Sequence, residues 1–134
     1  MPLWRFFDYV DGGGDDLIEA WYQAQDDDAI RVQFDATIFI LAATEDWTHR
    51  RVKAFKVLTG KHAGLCELRF TVEIDRRKRR FRPLGIWRKD SRDFVLLGSC
   101  EKSGRILIPS NAFELALHHK AEFEGGKGRI RERA

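Results

Sequence analysis

Cysteine is scarce. Cys66 and Cys100 are the only two, each isolated inside an apolar run. That pattern fits reduced core thiols better than a disulfide framework or a thiolate metal site. Long hydrophobic runs are missing as well: no stretch approaches the roughly 18 consecutive apolar residues that a membrane span needs. The opening Met-Pro-Leu-Trp-Arg-Phe-Phe-Asp has neither a long apolar segment nor a small-residue cleavage site, so no export is expected and the cytoplasm is the expected compartment. Gly12-Gly13-Gly14 lacks the Gly-Lys-Ser/Thr ending of a phosphate-binding loop, and the flanking aspartates would repel phosphate. Asp26-Asp27-Asp28 has no second ligand cluster nearby, so capping and solvation are expected there rather than a metal. No metal and no small-molecule cofactor is expected, and no internal repeat is visible.

What is present describes a globular chain. Its 134 residues suit one domain, and 43% hydrophobic with 34% charged residues fits neither a disordered nor a membranous class. A chain of this length buries roughly two-thirds of its unfolded surface, enough for a core. The net charge of +3 conceals an uneven distribution. Residues 1 to 46 hold eleven acids and two bases (Arg5 and Arg31), giving −9, whereas residues 47 to 134 hold ten acids and twenty-two bases, giving +12. Such asymmetry predicts a dipolar molecule with one face for a polyanion. The alternative is that the two halves neutralise each other across an internal contact.

Leu3 to Val10 is aromatic and β-branched and reads as a first strand. The glycine turn ends it, and the aspartates that follow offer a helix N-cap. Leu17, Ile18, Trp21 and Tyr22 fall at helical spacing, predicting a short helix to about Gln25. Ile30, Phe34, Ile38 and Leu41 predict a second helix, with a strand as the alternative because Val32 to Ile40 is rich in β-branched residues. Thr44 to Gly60 reads as a connector. Leu65 to Ile74 alternates: Cys66, Leu68, Phe70, Val72 and Ile74 on one face, Glu67, Arg69, Thr71 and Glu73 on the other. The run Asp75-Arg76-Arg77-Lys78-Arg79-Arg80 is expected to hold a hairpin turn, Phe81 to Trp87 the next strand, and Phe94 to Cys100 a buried central strand. Pro109-Ser110-Asn111 is expected to cap a last helix. The class is therefore α+β: a β-α-α-β-β-β-α order, with an antiparallel meander packed against a helical hairpin and a C-terminal helix. Residues 1–124 form the predicted domain, and 125–134 a basic, Gly/Arg-rich tail expected to fray.

A row of bases stands out. Arg69 points outward from its strand, Arg80 and Arg82 share a face of the next, and Lys102 with Arg105 sits just after the third. On neighbouring strands these five converge on one surface. They can hold phosphates and stabilise charge building on a phosphoryl oxygen. A solvated basic face without chemistry is the alternative. Trp47 and Trp87 could stack on bases, though core packing is the commoner use. His118 and His119 point to different helix faces, which argues against joint chelation.

Leu58-Thr59-Gly60-Lys61-His62-Ala63-Gly64-Leu65-Cys66-Glu67-Leu68-Arg69 resembles the L-x-G … G-L-Y-E-L-R segment of phage-derived, HigB-like toxins of the RelE/ParE superfamily. Arg80-Phe81-Arg82-Pro83-Leu84 resembles their Y-R-I/V-L strand. Phe94 to Gly98 with Glu101-Lys102-Ser103 is similar to I-V-L-L-H-G-F-x-K-K-T, and Pro109 to Lys120 to the closing P-x-x-E-I-x-x-A-x-x-R helix. The likeness spans residues 55 to 124.

The resemblance implies a RelE-like fold and a toxin of a toxin–antitoxin pair. Its expected activity is metal-independent, ribosome-dependent cleavage of mRNA, and its expected partners are the ribosome-bound message and a cognate antitoxin over the basic face. Carried over by position, Arg69 would orient the RNA backbone, Arg82 would stabilise the phosphorane, and Lys102 would assist the leaving oxygen. Glu67 would be a general base or a positioning group. Arg80, Arg105, Lys61 and His62 would contact RNA. The sequence departs from the pattern at Glu101-Lys102, Ser99 and Cys66, and no tyrosine stands near the last helix. Two rival functions follow from the same likeness. One is a ParE-like, non-catalytic inhibitor of DNA gyrase; the other is a prophage protein keeping the fold as a protein- or RNA-binding module.

Overall fold

The computed structural model describes residues 2–133. It is α+β, as expected, but with eight strands in place of four, all in one open sheet. The chain runs β1 (Arg5–Val10), α1 (Leu17–Gln23), α2 (Asp28–Ala42), β2 (Phe55–Val57), β3 (Cys66–Leu68), β4 (Phe70–Ile74), β5 (Arg77–Arg88), β6 (Asp93–Ser103), β7 (Ile106–Ile108), α3 (Ala112–Glu124) and β8 (Arg129–Glu132). Across the sheet the order is β2-β3-β5-β6-β1-β8, with β4 paired to the far half of β5 and β7 to the end of β6. Among the described residues the one parallel pairing is that of β1 with β6. No helix among the described residues is long and apolar enough to cross a membrane.

Both predicted acidic caps form. Asp16 accepts the Glu19 N–H at 2.9 Å to open α1, and Asp27 accepts the Ala29 N–H at 2.8 Å to open α2. Helix α2 is a helix rather than a strand: Ile30, Phe34 and Leu41 are buried along one stripe. The third cap differs from expectation, since Asn111 precedes α3 with no side-chain hydrogen bond.

Four expectations about strands need correction. The predicted strand Leu65–Ile74 divides at Arg69, because the connector before it contributes β2 and the Ala54 carbonyl takes the Arg69 N–H at 2.8 Å. The basic run is mostly strand rather than turn. The turn is only Asp75 and Arg76, at φ 51° and 66°, so Arg77 to Arg80 lie within β5. Gly104-Arg105 turns the chain into an additional strand, β7. Lastly, residues 129–132 of the expected tail form β8, antiparallel to β1.

The sheet is covered on both sides. Ile18, Ile30, Phe34 and Leu41 of the helical hairpin meet Phe6, Phe70, Phe81, Phe94 and Leu96 on one face. Trp4, Trp47, Phe55 and Trp87 close the end of that layer, and the Trp47 N–H donates to the Leu41 carbonyl at 2.8 Å. On the other face Ala112 and Ala116 of α3 meet Tyr9, Leu84, Ile86, Val95 and Leu97. Strand β6 carries one extra residue, Leu97, between the Leu84↔Gly98 and Gly85↔Leu96 pairs, a β-bulge at mid-sheet. Glycine is required opposite it, because a Cβ on Gly85 would collide with the Phe94 ring and the Val95 carbonyl oxygen.

Candidate nucleic-acid interface

Strand register brings four of the predicted bases onto one face. Thr71 opposes Arg80, Arg80 opposes Lys102, and Arg82 opposes Cys100. Arg69, between β3 and β4, follows the same register and falls opposite Arg82. Side chains alternate along a strand, so Arg80 and Arg82 share the face on which α3 packs further along. The acidic hairpin packs on the opposite face.

Glu67 anchors the group. It is 5% exposed, and its Oε1 accepts the Arg69 Nε–H at 2.8 Å, with Arg69 Nη2 also at 2.8 Å. Arg82 Nε approaches the same oxygen at 3.8 Å, and its Nη1 donates to the Phe81 carbonyl at 3.0 Å. Burial lowers the pKa of Arg82 below the usual guanidinium value, opposed by the charge of Glu67. The guanidinium is still a cation at neutral pH, held in a poorly solvated place where its charge acts more strongly. Cys100 is not a nucleophile here: burial, helped by Glu67, pushes its thiol up to about 11. Burial pushes Cys66 up to about 11 as well.

A cavity of about 430 Å³ opens over this cluster, lined by Arg69, Phe70, Thr71, Arg80 and Arg82. Gln33, Thr37 and Ile40 of α2 and Lys53 and Ala54 of the connector complete its wall. Arg80 also borders a second hollow of about 260 Å³, with Arg77, Lys78, Glu101 and Lys102. The two hollows have Arg80 in common. Among the described residues, Arg80, Lys102, Arg105, Arg77 and Lys78 make no ion pair.

The remaining predicted contacts disperse. Arg105 sits exposed in the β6–β7 turn, beyond both hollows. Lys61 and His62 belong to a 3-10 turn, Gly60–His62, and line neither hollow. His62 stacks on Phe113 of α3 at 4.5 Å, with Glu114 at 3.7 Å, which is a packing arrangement. Arg79 projects to the hairpin side and is neutralised by Glu101 at 2.7 Å and Asp26 at 3.1 Å. Trp47 is core, and Trp87 is half-buried against it. His119 is buried beside Glu122 while His118 is exposed, on different faces as expected.

Lys53, Gln33, Thr37 and Ile40 escaped the sequence reading. A signal existed for Ile40: with Val32 and Phe39 it falls off the Ile30–Phe34–Leu41 stripe, and these three are 60%, 65% and 77% exposed. No group of three or more His, Cys, Asp or Glu side chains among the described residues could hold a metal ion. No protein-family model, no curated protein and no solved structure matches this chain, so a functional reading rests on the side chains of this face.

Proposed function

We propose that this protein is a RelE/HigB-like toxin that cleaves ribosome-bound mRNA without a metal ion, held silent by an antitoxin. The observation that carries the reading is the buried Glu67 carboxylate holding Arg69 and flanking Arg82, on the same face as Arg80 and Lys102. An RNA backbone laid along this face meets cations at successive positions, of which Arg80 and Lys102 have no ion pair among the described residues. In the reaction, a ribose 2′-oxygen bonds to the adjacent phosphorus and the P–O5′ bond breaks. The products are a 2′,3′-cyclic phosphate and a 5′-hydroxyl. The 2′ proton passes to water, Arg82 and Arg69 stabilise the added charge on the non-bridging oxygens, and Lys102 gives a proton to the departing 5′-oxygen. The burial of Glu67 and its bond to Arg69 favour positioning over proton abstraction. Such a role belongs in the bacterial cytoplasm.

Primer extension on a reporter mRNA after induction of the protein, beside Arg82→Ala, tests this. New ends within translated codons that vanish in the variant support the reading. Growth arrest without new ends favours gyrase inhibition, and no arrest removes the toxin assignment.

A further inference from the structure

The cavity beside Arg69 takes its walls from both faces of the sheet. Gln33, Thr37, Ile40 and Phe70 belong to the helical side, whereas Arg69, Thr71, Arg80 and Arg82 belong to the other. A single hollow can do this only by wrapping around a strand edge, and the edge is that of β4. Strand β4 pairs with β5 alone. Arg69 sends its N–H away from β5, to the Ala54 carbonyl. Backbone direction alternates along a strand, so Thr71 and Glu73 present their N–H and C=O groups on the same outer side. Among the described residues neither group has a backbone partner there. An open edge of this kind is a template for an added strand.

The two sides of the edge differ in chemistry. On the α2 side an incoming strand would meet Ile40, Phe70 and Ala54, beside the exposed ridge of Phe39 and Val32. On the other side it would meet Arg69, Arg80 and Arg82, with Lys53 at the rim. Glu73 is the one acid of β4 on that side, and it lies opposite Lys78 in the strand register without an ion pair among the described residues. Side chains of an added strand alternate between these sides.

We infer that the β4 edge is a docking site for an extended segment of a partner protein that alternates apolar with acidic side chains. Its backbone pairs with Thr71 and Glu73, its apolar side chains pack against Ile40 and Phe70, and its carboxylates face Arg80 and Arg69. The site is defined by the β4 backbone, the α2 surface and the charge of Arg69 and Arg80, none of which requires the nuclease reading. An occupant would nonetheless cover Arg69 and Arg82 and exclude RNA from them.

The test uses a labelled synthetic octapeptide alternating Val and Glu, its twin with Lys for Glu, and a U12 oligonucleotide. Anisotropy gives affinity, and NMR hydrogen exchange gives the protection of the Thr71 and Glu73 amides. The expected result is a Kd for the Glu peptide at least about tenfold below that of the Lys twin. Exchange at Thr71 and Glu73 should slow by a similar factor. Ile40→Glu, at an exposed helix position, should raise the Kd about tenfold without altering the circular dichroism. Equal binding of both peptides, no binding, or binding without protection at Thr71 and Glu73 would overturn the proposal. So would protection of those amides by U12, or their protection in the free protein growing with concentration, which would assign the edge to RNA or to a second copy of the chain.

Discussion

The two edges of the sheet treat arginine in opposite ways. At the β1–β8 edge three of the four arginines nearest β1 are answered, Arg129 alone being without an ion pair among the described residues: Arg133 holds Asp8 at 2.7 Å and Glu19 at 2.9 Å, Arg131 holds Asp16 at 2.6 Å, and Arg5 holds Glu132 at 2.6 Å. Arg133 also lies over the rings of Tyr22 and Phe34, and is only 12% exposed. At the β4–β7 side Arg80, Lys102 and Arg105 have no such partners among the described residues, and the one acid inside the cluster, Glu67, is shared by two arginines. Composition therefore misleads if the whole basic surplus is assigned to one purpose. Part of it neutralises the acidic first third internally, and only the remainder faces outward.

That contrast can be broken most sharply at Arg82. Arg82→Ala is expected to lower mRNA cleavage by about 10²–10³, as removal of one charge-stabilising donor does, with the circular dichroism unchanged. A protein that cleaves as before would place Arg82 among the structural arginines. Next in size, Arg133→Ala should lower unfolding free energy by about 3 kcal/mol, because it strips a buried carboxylate of its cation. Urea denaturation reads this directly, and a loss no larger than at a surface position would erase the distinction between the edges.

A smaller effect is set by pH. Burial, reinforced by a hydrogen bond with Asp16, raises Asp8 from its ordinary value to about 7, against the opposing pull of Arg133. The folded state then binds a proton that the unfolded chain has released between about pH 4 and 7. Stability should fall as pH rises through that window and level off above 7. Asp8→Asn should flatten this slope in thermal melts, and an unchanged slope would remove Asp8 as its source. Least costly of all, Arg80→Ala should leave stability within about 0.5 kcal/mol. It should still reduce the salt dependence of RNA binding by about one unit of slope. A stability loss approaching that of Arg133→Ala would show that Arg80 also supports the fold.

The sequence made one of these edges readable and hid the other. Alternation through Cys66–Ile74 put Glu67 and Arg69 on a common face, and the two-residue spacing of Arg80 and Arg82 matched it, because strand period is a local property. The long apolar run around Phe94–Cys100 likewise marked the central strand. Strand β8 gave no comparable sign. Four residues behind a run of glycines look like a loose end until β1 supplies their partner, and no local pattern encodes a partner that far away. The division of the strand at Arg69 is of the same kind, since it depends on the Ala54 carbonyl. Arg79 and Arg80 are adjacent and chemically identical, yet one is neutralised by Asp26 and Glu101 and the other is open, a difference set only by which side of the pleat each occupies.

The closing of β8 onto β1 has a temporal consequence. Arg133 and Asp8 are 125 residues apart in the chain. Contacts of such separation carry a large loop-closure cost unless the intervening structure has already drawn the ends together. During synthesis the acidic helical hairpin is made long before the arginines that neutralise it. Until Arg133 emerges, the nascent domain carries an unbalanced negative edge beside a growing positive one. Strand β8 thus balances one side of the molecule only after the basic face on the other has been built.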